Sequence, residues 1–174
     1  MKKYKEYEKE ILSLVDELNF KQRNLYVDSK NILILGFDSE ISNLRVTKSN
    51  VVIIDINPKK INLNNVKFIN NDLNSSFPNL SIEFDLVVAN FIMEYIQEKK
   101  IFLKNIIENL SKNGTLVIGL WFHNRILTQD LENKFRIFFN KVGFKIINIE
   151  VLMRDVNDPI FIPKVLFITL EREQ

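Results

Sequence analysis

Hydrophobic residues along this chain recur in two rhythms, and the alternation between them outlines a fold. Near the start, Tyr4, Tyr7, Ile11, Leu14 and Leu18 return every three or four residues, the spacing of one helical face. Residues 3 to 19 are therefore predicted to form an amphipathic helix. Asn31 to Leu35 is a short apolar run closed by Gly36, and Val51 to Ile56 is a second, ended by the turn pair Asn57-Pro58. Val66 to Ile69, Phe84 to Ala89 and Thr115 to Leu120 are three more. Between the last two, Phe102, Ile106, Ile107 and Leu110 form a helical stripe, predicted to stop at Lys112 to Gly114. A second stripe, Leu127, Leu131, Phe135, Phe138, Phe139 and Val142, ends at Gly143. Phe144 to Leu152 and Lys164 to Leu170 then read as strands.

Several of these strands are continuous apolar runs rather than alternating ones. A strand covered on both faces needs apolar side chains on both, which is the condition inside a parallel sheet flanked by helices. No helical pattern separates the last two strands, so they are expected to pair antiparallel at the sheet's edge. The expected fold class is α/β, one doubly wound domain over residues 1–174, with an antiparallel sheet plus helices as the competing architecture.

Composition narrows the function without choosing it. At 174 residues the chain is long enough for one full core. It has no cysteine, which removes disulfides and thiol chemistry and fits a reducing compartment, so the expected location is cytoplasmic. Lys plus Arg number 24 against 22 for Asp plus Glu, too even a balance to signal nucleic acid. The opening Met1-Lys2-Lys3-Tyr4-Lys5 is not a signal-peptide pattern, and no apolar run approaches the ~20 residues of a membrane helix. With one histidine and no cysteine, no metal site is expected.

Open parallel sheets bind ligands beyond the carboxyl ends of their strands. The residues expected there are Gly36 to Glu40, Asp55, Asp72, Asn90 to Glu94, and Trp121 to His123. Asp55 lies 19 residues after Gly36, the placement of an acid that accepts ribose hydroxyls in dinucleotide folds. Asp72 is placed to accept from an adenine amine. Each has a plainer reading: Gly36 as a strand end, Asp55 as a turn residue, Asp38 as a helix cap, Glu94 as a solvated charge, and His123 as a structural imidazole.

The segments ILILGFDSE, VVIIDINP, INNDLNSSFPNLSIEFDLVVANFIMEYI and SKNGTLVIGLW, in that order, resemble the class I S-adenosylmethionine-dependent methyltransferase family across roughly residues 28 to 172. The resemblance implies a seven-stranded sheet ordered 3-2-1-4-5-7-6 with a reversed final hairpin. It also implies S-adenosylmethionine as the cofactor and a small molecule or protein as the methyl acceptor. On this basis Gly36 and Asp38 would lie in the first motif, Asp55 would hold the ribose and Ile56 would lie against the adenine. Asp72 and the Leu73 backbone would meet the adenine edge. Asn90, Tyr95 and His123 would border the acceptor as candidate catalytic residues, acting by positioning rather than as a named base.

The first motif departs from the family pattern. Glycines are expected at the places of Gly36, Asp38 and Glu40, and an acid at Ile34; only Gly36 is present. Glycines there let the backbone bend tightly and approach a ligand. Two carboxylates instead would repel the donor's own carboxylate, at about a few kcal/mol in a partly dry cleft, unless a displaced loop turns them toward the donor's ammonium and sulfonium. Two functions follow: methyl transfer, or a methyltransferase-like module that has lost the chemistry and serves as a binding or scaffold domain. In the second case the early helix or the aromatic strip at Trp121 would meet a protein partner or another copy.

Overall fold

Short apolar runs set apart by longer connecting segments suit a parallel sheet, because each parallel strand needs a crossover to return the chain to the same edge. The computed structural model describes residues 7–37, 41–45, 47–57, 63–123, 125–154 and 161–173. In it, β1 (Asn31–Leu35), β2 (Asn50–Asp55), β3 (Val66–Asn70), β4 (Phe84–Asn90) and β5 (Leu110–Trp121) pair in parallel. β6 (Phe144–Met153) and β7 (Lys164–Arg172) form the antiparallel end, with β7 hydrogen-bonded to β5. The order across the sheet is β3-β2-β1-β4-β5-β7-β6. The doubly wound reading therefore holds, and the competing antiparallel architecture does not.

One sheet face carries α1 (Glu8–Asp28) and the short α2 (Ile41–Leu44); the other carries α3 (Lys99–Asn109) and α4 (Gln129–Asn140). On the first face Leu14, Leu18 and Tyr26 of α1 are fully buried with Ile32, Ile34, Val88 and Val117. Each such side chain contributes roughly 1.5–3 kcal/mol of burial. Ion pairs at the rim, Arg154 with Glu17 at 2.6 Å and Lys21 with Glu150 at 3.1 Å, tie α1 to the β6 end of the sheet. Half-solvated pairs of this kind add little, about 0–1 kcal/mol each. On the second face α4 begins at Thr128, whose side chain accepts from the Leu131 N–H, a regular helix cap.

Two expectations need correction. The first helix runs to Asp28 rather than residue 19. The apolar stripe is interrupted by Asn19 and Gln22, yet both are buried, 4% and 0% exposed, and the helix continues through Tyr26. Residues 3 to 6 of that expectation lie outside the described residues. The fifth strand begins at Leu110, so Lys112 to Gly114 lie within it instead of in a turn. The pairing of β4 with β5 shifts register between Phe84 and Leu86. At Gly114 a Cβ would stand 2.7 Å from the Leu110 side chain and 2.8 Å from the Phe84 carbonyl, so glycine is required by a close approach within the sheet. Smaller differences place Ile56 just beyond β2 and Asn90 inside β4.

Candidate functional site

Strands β1 and β4 are neighbours, but the chain leaves β1 toward β2 and β4 toward β5. The crevice opened by that reversal is the usual ligand position in this architecture. Here it holds a cavity of about 230 Å³. On its β1–β2 side, Gly36 adopts φ +72, a left-handed conformation that favours glycine, while its N–H donates to the Ile54 carbonyl at 2.9 Å. Asp55 ends β2 with its carboxylate turned back onto the loops. Oδ2 accepts from the Phe37 N–H at 2.7 Å and Oδ1 from the Asn57 N–H at 2.6 Å. One carboxylate thereby fixes the paths of both chain segments that leave β1 and β2.

Opposite lie Asn90, Phe91, Ile92, Tyr95 and Trp121. Asn90 is buried and forms a reciprocal amide pair with Gln22 of α1, each side chain donating to the other at 3.0 Å. Phe91 has φ 57, a conformation uncommon for a bulky side chain, and its N–H donates to the Gly119 carbonyl at 2.8 Å. The turn sets the Phe91 ring on Trp121, centroids 4.3 Å apart and planes 16° from parallel. It also lays Ile92 over Gly36, where an added Cβ would meet the Ile92 side chain at 3.1 Å. Tyr95 stands at the mouth, 73% exposed. Glu94 is a tie between loops: its Oε1 accepts from the Trp121 N–H at 2.9 Å.

The other expected site residues lie around this centre rather than in its lining. Ile56 is 59% exposed beside Asp55. Asp72 holds the turn after β3, accepting from the Asn74 N–H at 2.9 Å and the Ser75 hydroxyl at 3.1 Å. Leu73 lines a neighbouring cavity of about 250 Å³ against α3. His123 stacks on Trp121, centroids 5.1 Å apart, and its Nδ1 accepts from the Lys164 N–H at 3.2 Å. Burial pushes the imidazole pKa below its ordinary value, with a backbone hydrogen bond at Ile162 opposing the shift. Asp38 and Glu40 lie outside the described residues. Among the described residues, no group of three or more His, Cys, Asp or Glu is arranged to hold a metal.

A family model described as a methyltransferase domain matches residues 22–152. The chain belongs to the class I S-adenosylmethionine-dependent methyltransferase family. Solved structures of methyltransferases share its fold. The 1,6-didemethyltoxoflavin-N1-methyltransferase of Burkholderia thailandensis, with 1,6-didemethyltoxoflavin and S-adenosylhomocysteine bound, superposes with a TM-score of 0.70 at 10% identity, over 92% of this chain and 79% of that one. The N-methyltransferase NodS of Bradyrhizobium japonicum gives 0.65 at 14% identity, over 93% and 98%. TYW2 of M. jannaschii in complex with AdoMet gives 0.57 at 22% identity, over 88% and 76%. No curated protein sequence gives a significant match.

For a methyltransferase domain, the feature that sequence reasoning missed is Gln22. A polar residue in the α1 stripe reads as a helix end, and nothing local reveals that its partner is Asn90, 68 positions away. The one available signal was Asn19 and Gln22 falling at helical spacing between Leu18 and Tyr26. Tyr7 and Phe161, which extend the ring stack behind Trp121 and His123, were equally hidden by distance along the chain.

Proposed function

We propose that this domain transfers the methyl group of S-adenosylmethionine to a small-molecule or protein acceptor in the cytoplasm. The observation that supports it most is the convergence on one cavity of the Gly36 bend, the Asp55 carboxylate and the Asn90–Phe91 turn. The residues fit the donor's chemistry. A carboxylate offers about four acceptor positions; Asp55 uses two on Phe37 and Asn57, leaving positions for two ribose hydroxyls. Exposed Ile56 offers an apolar surface to the adenine, with Asp72 and Leu73 beyond it. Asp38, two positions after Gly36 in the sequence, would meet the donor's cationic end.

When bound, the donor supplies a methyl group on a sulfonium leaving group. The chain's own part is to orient and to exclude water. Asn90, held by Gln22, and Tyr95 face the acceptor side, and His123 supports Trp121 from behind as a neutral ring. With Nδ1 already accepting from Lys164, His123 acts by position and takes no proton. Alignment of two reactants by such groups is worth several orders of magnitude in rate.

A second reading, a domain without the chemistry, is favoured by one observation: Ile92 packs against Gly36, over the backbone that a donor would approach. A thermal-shift titration with S-adenosylhomocysteine separates the two. The wild type is expected to gain stability with rising ligand, and Asp55→Ala to gain none. Equal shifts in both proteins would show that the donor does not use Asp55, and no shift in either would favour the silent reading.

A further inference from the structure

Five rings from four separate parts of the chain form one ladder running away from the cavity. Phe91 stacks on Trp121 at 4.3 Å and Trp121 on His123 at 5.1 Å; Phe161 lies tilted against His123 at 4.8 Å, planes 40° apart, and stacks on Tyr7 at 5.3 Å. Aromatic pairs at these separations hold one another in orientation. The left-handed Phe91 places the last ring of the ladder at the cavity, and a strained backbone at such a point is a mark of use. Tyr95 faces the same space. Its backbone is anchored, N–H to the Ile92 carbonyl at 2.9 Å and carbonyl to the Asn74 amide at 3.1 Å, while its ring is left in solvent. Among the described lining residues the one charged group is the Asp55 carboxylate, and Glu94 adds a second acid beside Trp121.

We propose that the Phe91–Trp121–Tyr95 wall is a subsite for a flat aromatic ring system that carries no negative charge. On the methyl-transfer reading, on which this role rests, that ring belongs to the methyl acceptor. The ring continues the ladder at its Phe91 end, with Tyr95 closing over it. The two carboxylates repel an acid-bearing ring, and a saturated ring of the same size lacks the face that stacking needs. The subsite lies on the side of the cavity formed after β4 and β5, opposite Gly36 and Asp55.

Trp121 is the single tryptophan, so its indole N–H gives one resolved signal in a nitrogen-correlated NMR spectrum. Quinoline titrated into the full chain with S-adenosylhomocysteine present is expected to move that signal saturably. Quinoline-4-carboxylate and the saturated alcohol 2-decalol are expected to bind more weakly. Tyr95→Ala should weaken quinoline about fivefold to tenfold, the size of one lost aromatic pair, with an unchanged melting midpoint because its ring is exposed. Quinoline leaving the indole signal in place, 2-decalol matching it, or Tyr95→Ala binding as wild type would each overturn the subsite. Calorimetry with S-adenosylhomocysteine alone reports the donor side independently. Donor binding without quinoline binding rejects this inference and leaves the donor reading standing; quinoline binding without donor binding keeps the subsite and removes its role as acceptor site.

Discussion

At the scale of single residues, the site is built from groups whose conformations are set by their neighbours. Gly36 is the clearest: at φ +72 with Ile92 pressed against it, Gly36→Ala meets both a backbone penalty and a side-chain contact at 3.1 Å. A loss of about 1–2 kcal/mol in a denaturant melt is expected, together with weaker donor binding. His123 makes a pH prediction. Its pKa is lowered in the folded protein, so the unfolded chain takes up the proton at higher pH. The contribution is therefore present above the unfolded value of 6.5 and is lost as pH falls below it. Melts of wild type and His123→Phe should show that loss in the wild type alone. The variant keeps a ring in the stack, although the Lys164 N–H loses its acceptor and the variant's melting midpoint falls at every pH. A wild type whose acid sensitivity equals that of the variant would assign the effect elsewhere.

At the scale of elements, α1 both covers the sheet and braces the site, through the pairing of Gln22 with Asn90. Gly119 makes this possible: a Cβ there would stand 2.9 Å from the Asn90 side-chain oxygen and 2.9 Å from Leu18. Gln22→Leu keeps the volume but leaves both amide bonds to Asn90 unmade. A cost of about 1–3 kcal/mol is expected, and donor affinity should fall further than the stability loss explains, because the freed Asn90 reorients. Calorimetry on the still-folded variant checks this; unchanged affinity would make the pair purely structural. The sequence could not reveal the pair, since burial of Asn19 and Gln22 depends on the sheet beneath them. Strand positions were far more legible. Runs such as Val51 to Ile54 and Leu86 to Ala89 need both faces covered, which local composition reports directly. The late end of α1 at Asp28 and the early start of β5 at Leu110 both depend on long-range packing, so pattern alone misplaced those ends.

For the whole molecule, strand order follows from the crossovers, and the order opens the crevice that collects Gly36, Asp55 and Asn90. That much of the site was readable from residue type at strand ends. Asp72 and His123 were found at strand ends too, but their side chains are engaged locally, with Asn74 and Ser75 in one case and with Lys164 in the other. The ring ladder was not readable, because it joins residues 7, 91, 121, 123 and 161. Among the described residues, no helix is long and apolar enough to cross a membrane. The central claim is that the crevice still accepts an adenosyl donor although only one first-motif glycine is present. Isothermal titration of the wild-type chain with S-adenosylmethionine tests it most directly. Saturable one-to-one binding in the micromolar range is the predicted result; no heat of binding at millimolar donor would contradict the account.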